Sequence, residues 1–182
     1  MKIAIPAFYN TTIRGSIIAL PLSLIFGLSP LVLAGERSED LLGANEVPPV
    51  ISPGEGDFKA RFKNDKIEFK LKYEELDTGG SDVTQAHIHI GLPSNTGGIT
   101  VFLCTNLGNN PANATLRSCP ASPGEVEGEI VEADVLAVGN IIQAGDLEGL
   151  KRLIEDGATY INVHSDDHPP GEIRGQVNSR KR

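Results

Sequence analysis

Apolar and polar residues alternate along several short stretches of the chain, most regularly in Asp57–Lys63 and Lys66–Glu74. Alternation with a period of two residues is typical of strands that bury one face and expose the other. Asn64-Asp65, between the two stretches, suits a two-residue turn. We therefore predict a β-hairpin here, with charged side chains on a face that meets water.

The same alternation predicts three strands in the middle of the chain, at Val83–Ile90, Ile99–Cys104 and Gly124–Val135. A further hairpin is predicted within Ala158–Val177, where two alternating arms flank a turn rich in Asp and Pro. Asp146–Asp156 instead places its leucines at helical spacing. It is the one predicted helix, with Asp146 suited to cap its start and Gly157 suited to end it.

The residues before the first hairpin carry a weaker pattern. We interpret 36–41 as a charged linker, and Leu42–Val50 as an edge strand or an irregular covering segment, since Pro48-Pro49 cannot donate ladder hydrogen bonds. Short strands separated by turns, with one helix inserted late, indicate an all-β fold. We expect an antiparallel β-sandwich or Greek-key barrel, immunoglobulin-like or superoxide-dismutase-like, over residues 41–178.

Histidines lie on the polar side of two predicted strands. His87 and His89 share one face of the Val83–Ile90 strand, and His164 lies on the polar face of the final hairpin. We expect that face to meet water. The aliphatic side chains of the reverse face are expected in the interior, namely Ile88, Ile161 and Ile173.

Three motifs in order resemble the CHRD domain, the module repeated in chordin. Leu42–Pro49 is similar to the opening of that domain, and Ala86–His89 followed by Gly91 is similar to its middle. Tyr160–His164 and Pro170–Gln176 are similar to its closing signature. The resemblance implies a β fold outside the cytoplasm and engagement of extracellular or cell-surface proteins. It does not imply a particular ligand, because one isolated domain need not share the growth-factor binding of chordin.

The amino terminus has the layout of a secretory signal peptide. Residues 1–34 carry Lys2 and Arg14, no acidic residue, and an uncharged stretch that ends in Val32-Leu33-Ala34. The alternative is a retained membrane anchor, which Pro21 and Pro30 would weaken as a helix. Membrane attachment is expected only in that case, and either alternative places the remainder of the chain outside the cytoplasm, in the periplasm, at the cell surface or secreted.

The charge balance disfavours nucleic acid as a partner. The formal net charge is −8, and removing residues 1–34 with their two cations brings it to −10. Nucleic-acid affinity depends on Lys and Arg releasing counterions from phosphate. The residues 179–182 form a short basic tail, which we interpret as a solvated end.

Cys104 and Cys119 are the only cysteines, and in an exported chain they are expected to form one disulfide. The alternative is a metal site with cysteine ligands. Asn113-Ala-Thr115, between the cysteines, is a glycosylation acceptor in a host that has the required machinery.

The histidines could hold a metal ion. A His-x-His pair on a strand puts two imidazoles roughly 7 Å apart at the backbone. With His164, and with Asp166 or Asp167, His87 and His89 could form a zinc or copper site, for which His168 is an additional candidate. The His-Ile-His strand is similar to the His-Val-His strand of copper–zinc superoxide dismutase, although that family's long metal-binding loop has no counterpart here. Asp166-Asp167 could also bind Ca²⁺, but no closed set of oxygen ligands is evident.

The alternative is that the histidines are structural and hold the strands in register. They would then hydrogen-bond Asn162, Glu172, Arg174 or backbone carbonyls, and Glu172 and Arg174 could pair across the hairpin.

The chain has no Gly-x-Ser-x-Gly elbow, phosphate-binding glycine loop or His-Glu-x-x-His helix. Two functions stay open: a non-catalytic extracellular binding or structural module, and a copper or zinc metalloprotein that uses the His-x-His strand, with redox activity as one form of it.

Overall fold

The computed structural model describes residues 36–76, 83–111 and 117–177. They form eight strands, one α-helix and two short 3-10 turns. The strands are β1 (Glu36–Leu42), β2 (Glu55–Phe62), β3 (Ile67–Glu74), β4 (Val83–Ile90), β5 (Ile99–Thr105), β6 (Gly124–Ile130), β7 (Thr159–Ser165) and β8 (Ile173–Val177). The helix α1 is Leu147–Glu155, and the 3-10 turns are Gly43–Asn45 and Glu132–Asp134. The predicted signal peptide, the basic tail and Asn113 lie outside the described residues.

All eight strands belong to one antiparallel sheet in the order β5-β4-β7-β8-β1-β2-β3-β6. The edge strands β5 and β6 approach each other, so the sheet nearly closes into a barrel. Closure is favourable because it leaves little unpaired strand edge. The prediction of an all-β antiparallel fold with one inserted helix is confirmed.

The interior of the barrel holds the apolar face of each strand. Ile88, Ile161 and Ile173 are fully buried there, as their alternation predicted. They pack in one cluster with side chains from the first hairpin, including Phe58, whose ring stacks on that of Phe69 at 6.3 Å between centroids. Burial of apolar area at about 25 cal/mol per Å² is the main stabilising term for such a core.

The first hairpin and the helix form where the pattern predicted them. Lys63 N–H donates to the Lys66 carbonyl at 2.9 Å, which closes the turn between β2 and β3. Asp146 caps α1, since its Oδ1 accepts from the Gly149 N–H at 2.8 Å. Gly157, at φ +70°, follows the helix in the left-handed conformation that suits glycine.

The prediction of a linker at 36–41 is wrong. These residues belong to β1, which lies between β2 and β8 in the middle of the sheet. Their alternation is faint because Leu41 is the only aliphatic side chain that this strand contributes to the core cluster. Backbone hydrogen bonds to strands on both sides stabilise β1 where side-chain burial does not. Leu42 is the last residue of β1, and the rest of the predicted segment, residues 43–50, forms the irregular covering segment that is one of the two predicted alternatives.

No helix among the described residues is long and apolar enough to cross a membrane.

Candidate metal centre

Three neighbouring strands place polar side chains on the outer face of the barrel. In the β4–β7 ladder His87 lies opposite Asn162, and His89 lies opposite Tyr160. In the β7–β8 ladder Asn162 lies opposite Arg174. Side chains that are directly opposite in an antiparallel pair point to the same face. The sequence motifs therefore meet on one surface because β7 lies between β4 and β8.

This polar face does not meet water, which corrects the sequence expectation. His87 is 0% exposed, His89 8% and His164 6%. Three loops cover the face: residues 43–54, 91–98 and 166–172. Their backbone and side chains supply the hydrogen bonds that water would otherwise make, so the face becomes a second, polar interior.

Each loop is attached to the sheet through identified contacts. From the first loop, Asn45 Nδ2 donates to the Arg174 carbonyl at 3.1 Å. The Gly97 N–H of the second loop donates to the Tyr160 hydroxyl at 3.1 Å. A Cβ at Gly97 would overlap the Ile90 carbonyl, so only glycine allows this loop to lie so close to β4. The third loop contributes the Pro169 carbonyl as an acceptor for His164.

The histidines of this face form a compact cluster. His87, His89 and His164 each offer a ring nitrogen, and the three nitrogens lie within 4.8 Å of one another. Nδ1 of His87 is 3.2 Å from Nε2 of His164. Among the described residues, no other group of histidine, cysteine or acidic side chains converges in this way.

The hydrogen bonds determine which ring nitrogens carry protons. Nδ1 of His164 lies 2.8 Å from the Pro169 carbonyl, and Nδ1 of His89 lies 2.9 Å from the Gly97 carbonyl. A carbonyl only accepts, so both Nδ1 atoms are protonated and both Nε2 atoms of the neutral rings are not. Nε2 of His164 then accepts from Nδ1 of His87, which leaves Nε2 of His87 unprotonated as well. In the described part of the chain, Nε2 of His87 and of His89 have no hydrogen-bond partner.

The surroundings keep the three rings neutral. The pKa of His87 is lowered to about 2, mainly by burial and also by the neighbouring His164 and His89. Burial also lowers the pKa of His89 to about 4, against the opposing effect of the Gly97 carbonyl. The pKa of His164 is lowered by burial too, with the Pro169 carbonyl opposing. Neutral imidazole is the form that binds metal ions.

Aromatic rings enclose the cluster on two sides. The Phe102 ring meets the edge of His87 with 4.5 Å between centroids. Tyr160 stacks on His89 at 4.8 Å with the rings nearly parallel. The Arg174 guanidinium lies 3.5 Å over the Tyr160 ring. The rings exclude water from the histidines and restrict their rotation.

The other predicted site residues lie outside the cluster. His168 is half-buried in the third covering loop, and Asp166 and Asp167 are exposed beside it. None of the three is part of the converging group. The His168 N–H donates to Ser165 Oγ at 3.2 Å, at the start of this loop.

The predicted polar network is present with different partners. Asn162 donates to the Glu46 carboxyl, and Ser52 Oγ donates to Glu172 Oε1 at 2.6 Å. Arg174 donates through Nη2 to the carbonyls of Leu92 and Asn95 at 3.0 and 2.9 Å. Asn162 and Arg174 thus attach covering loops to the sheet, and Glu172 joins two of the covering loops to each other.

Glu46 is a buried residue that sequence reasoning missed. It is 7% exposed and lies against Asn162 and Gly171. Burial raises its pKa to about 6, while the Val47 N–H, the Arg174 charge and Asn162 oppose the rise. Its position within the first motif, Leu42–Pro49, was the only available signal.

Replacing Glu46 by glutamine should stabilise the protein at neutral pH. A raised carboxyl pKa means that the folded state binds the proton more tightly, so this contribution to stability is present below about pH 4.5 and is lost as the pH rises through 6. The buried charge thus costs about 1–2 kcal/mol at pH 7.5. Glutamine keeps an acceptor for Asn162 without the charge. Urea denaturation should show Glu46→Gln more stable than the wild type at neutral pH and equal to it at pH 4; equal stability at both would contradict this.

The donor set fits a transition-metal ion. Zinc and copper bind imidazole nitrogens at about 2.0–2.1 Å, and ligating histidines usually donate their other N–H to a carbonyl or carboxylate. His89 and His164 already make that second bond to backbone carbonyls. Two nitrogens on one ion lie at most about 4.2 Å apart, so nitrogens spread over 4.8 Å must approach by about half an ångström. The two unprotonated, unpartnered Nε2 atoms are the strongest sign of a missing partner.

The comparisons with known proteins agree with the motifs. The profile of the CHRD domain matches residues 38–177, which include the strands β4, β7 and β8 and both motifs that contain the clustered histidines. No curated protein and no solved structure matches the chain. Because the profile spans most of the sequence, the chain belongs to the CHRD domain family.

Proposed function

We propose that this protein is an exported CHRD-domain module that binds a copper or zinc ion through His87, His89 and His164. The observation that carries the proposal is the buried convergence of three neutral imidazoles whose ring nitrogens lie within 4.8 Å of one another. The disulfide between Cys104 and Cys119 supports an oxidising location outside the cytoplasm. The family, whose domains are of an extracellular type, supports the same location.

The role of the residues follows from their contacts. The Gly97 and Pro169 carbonyls orient His89 and His164 and direct their Nε2 atoms into the cluster. Phe102 and Tyr160 shield the rings from solvent. A bound ion would act as a Lewis acid or, if it is copper, would also supply redox chemistry. With no carboxylate in the cluster, a divalent ion would bring an uncompensated charge into a buried site, which favours Cu(I) or an added anionic ligand.

Metal analysis of untagged protein tests the proposal. We expect about one copper or zinc per chain after dialysis. Titration of the metal-free protein with Cu(II) should give an EPR spectrum with nitrogen hyperfine structure from the imidazoles. His89→Gln and His164→Gln should bring the metal content well below one per chain, because each removes a nitrogen ligand. His168→Gln is the matched control and should retain the metal, since His168 lies outside the cluster. Retention of the metal by the His89 and His164 variants would overturn the proposal.

The second candidate is a metal-free binding module in which the histidines only hold the strands together. The hydrogen bond between His87 and His164 and the stacking of His89 on Tyr160 favour it, because both are complete without an ion. It predicts that metal does not change the unfolding transition, and that the histidine variants lose stability equally with and without EDTA. A metal-dependent rise in the unfolding midpoint would favour the metal centre.

A further inference from the structure

A cleft of about 480 Å³ opens on the covered face, beside the histidine cluster and separate from it. Its walls come from the covering loops 43–54 and 91–98, with Ala44, Val47, Pro49 and Pro93 among the lining side chains. Arg174 and Gln176 of β8 also line it. The volume falls within the range of roughly 300–1,000 Å³ found for small-molecule sites. Tyr160 lies between this cleft and His89, since β7 separates β8 from β4.

Arg174 is a buried cation at the cleft, and the Glu46 charge acts on it without forming an ion pair. It is 1% exposed, yet no ion pair joins it to any residue in the described ranges. Nη2 donates to two backbone carbonyls, while Nη1 is buried without a hydrogen-bond partner among the described residues. A buried guanidinium is costly unless an anion and acceptors for its N–H groups accompany it. The unused N–H groups indicate an acceptor supplied from outside the chain.

We infer that the cleft binds a small organic monocarboxylate whose carboxylate pairs with the Arg174 guanidinium. Arginine and carboxylate form short, charge-assisted hydrogen bonds, stronger than those to a neutral acceptor. The apolar walls suit a hydrocarbon or aromatic body attached to the acid. Glu39 and Glu46 also line the cleft, and they disfavour a multiply charged anion such as phosphate. Glu46 accepts from Asn162, and it acts on Arg174 through its charge and not through a hydrogen bond to the guanidinium.

A ¹⁵N–¹H NMR titration of the mature chain tests this inference with sodium benzoate as the probe. Benzoate at millimolar concentration should shift the amide resonances of 44–47, Ser94 and Gln176 in a saturable manner. Benzamide, the neutral isostere, and inorganic phosphate should not. Equal shifts with benzoate and benzamide would show that charge plays no part and would overturn the inference, as would the absence of a saturable shift.

Two variants, Ala44→Trp and Arg174→Met, locate the site, and Ala137→Trp serves as a control. Ala44→Trp adds bulk to an exposed wall residue without altering Arg174, and it should weaken benzoate binding by about tenfold or more. Ala137→Trp, at an exposed alanine outside the cleft, is the matched control and should bind as the wild type does.

Arg174→Met should abolish binding by removing the charge at similar volume. If Arg174→Met does not fold, Ala44→Trp decides: unchanged affinity in that variant would overturn the inference. Metal content should be unchanged in Ala44→Trp, which separates the cleft from the metal centre.

Discussion

Acidification from about pH 7.5 to about pH 4.5 is expected to destabilise the metal-free protein by about 3–4 kcal/mol. The pKa values of His87 and His89 fall to about 2 and about 4 in the folded state, from the ordinary value of 6.5. Depressed values mean that the unfolded chain takes up the protons first. Stability is therefore complete above about pH 6.5 and is lost as the pH falls below it. Each ring contributes about 2–3 kcal/mol of the loss at pH 4.5, and the raised pKa of Glu46 offsets roughly 1–2 kcal/mol.

Urea denaturation followed by circular dichroism, in EDTA at both pH values, measures this loss. His87→Gln keeps a donor towards His164 but does not titrate, so its loss on acidification should be about 2–3 kcal/mol smaller than that of the wild type. His168→Gln is the control and should behave as the wild type does, because His168 lies outside the buried cluster. An identical pH dependence in His87→Gln and the wild type would show that the cluster does not cause the acid sensitivity.

Loss of the disulfide should destabilise the protein by about 3 kcal/mol, because the bond closes a loop of about 15 residues in the unfolded chain. Cys104 at the end of β5 and Cys119 before β6 are separated by 15 positions, and both sulfurs are buried. The double variant Cys104→Ala with Cys119→Ala avoids a free thiol. Its unfolding free energy should lie about 3 kcal/mol below that of the oxidised wild type.

Reduction provides the control for the disulfide. Dithiothreitol should lower the stability of the wild type to the level of the double variant and should leave the double variant unchanged. A wild type that is equally stable with and without reductant would contradict a stabilising role for the bond.

The parts of the fold that the sequence predicted are those with a strong local pattern. The β2–β3 hairpin alternates apolar and charged residues without a break, and α1 combines helical spacing with the Asp146 cap. The convergence of His87, His89 and His164 was also predictable, since the motifs place them on the same face of strands that then pair.

The burial of that polar face was not predictable from periodicity. Alternation tells which side chains share a face, but it does not tell which loops lie above them. The covering depends on single long-range contacts, such as Gly97 with Ile90 and Glu46 with Asn162, that leave no repeating signal. The sequence likewise predicts a linker in place of β1, because the ladder hydrogen bonds of this strand involve only backbone atoms.

The position of β1 in the sheet has a consequence for how the protein is made. The first strand of the described chain pairs with the last, since Leu42 of β1 lies opposite Arg174 of β8. A ribosome-bound chain that lacks residues 173–177 leaves β1 and β7 each with only one of its two neighbouring strands. The sheet therefore becomes continuous only after residues 173–177 have left the ribosome, so folding of the barrel is completed after its last strand has been synthesised.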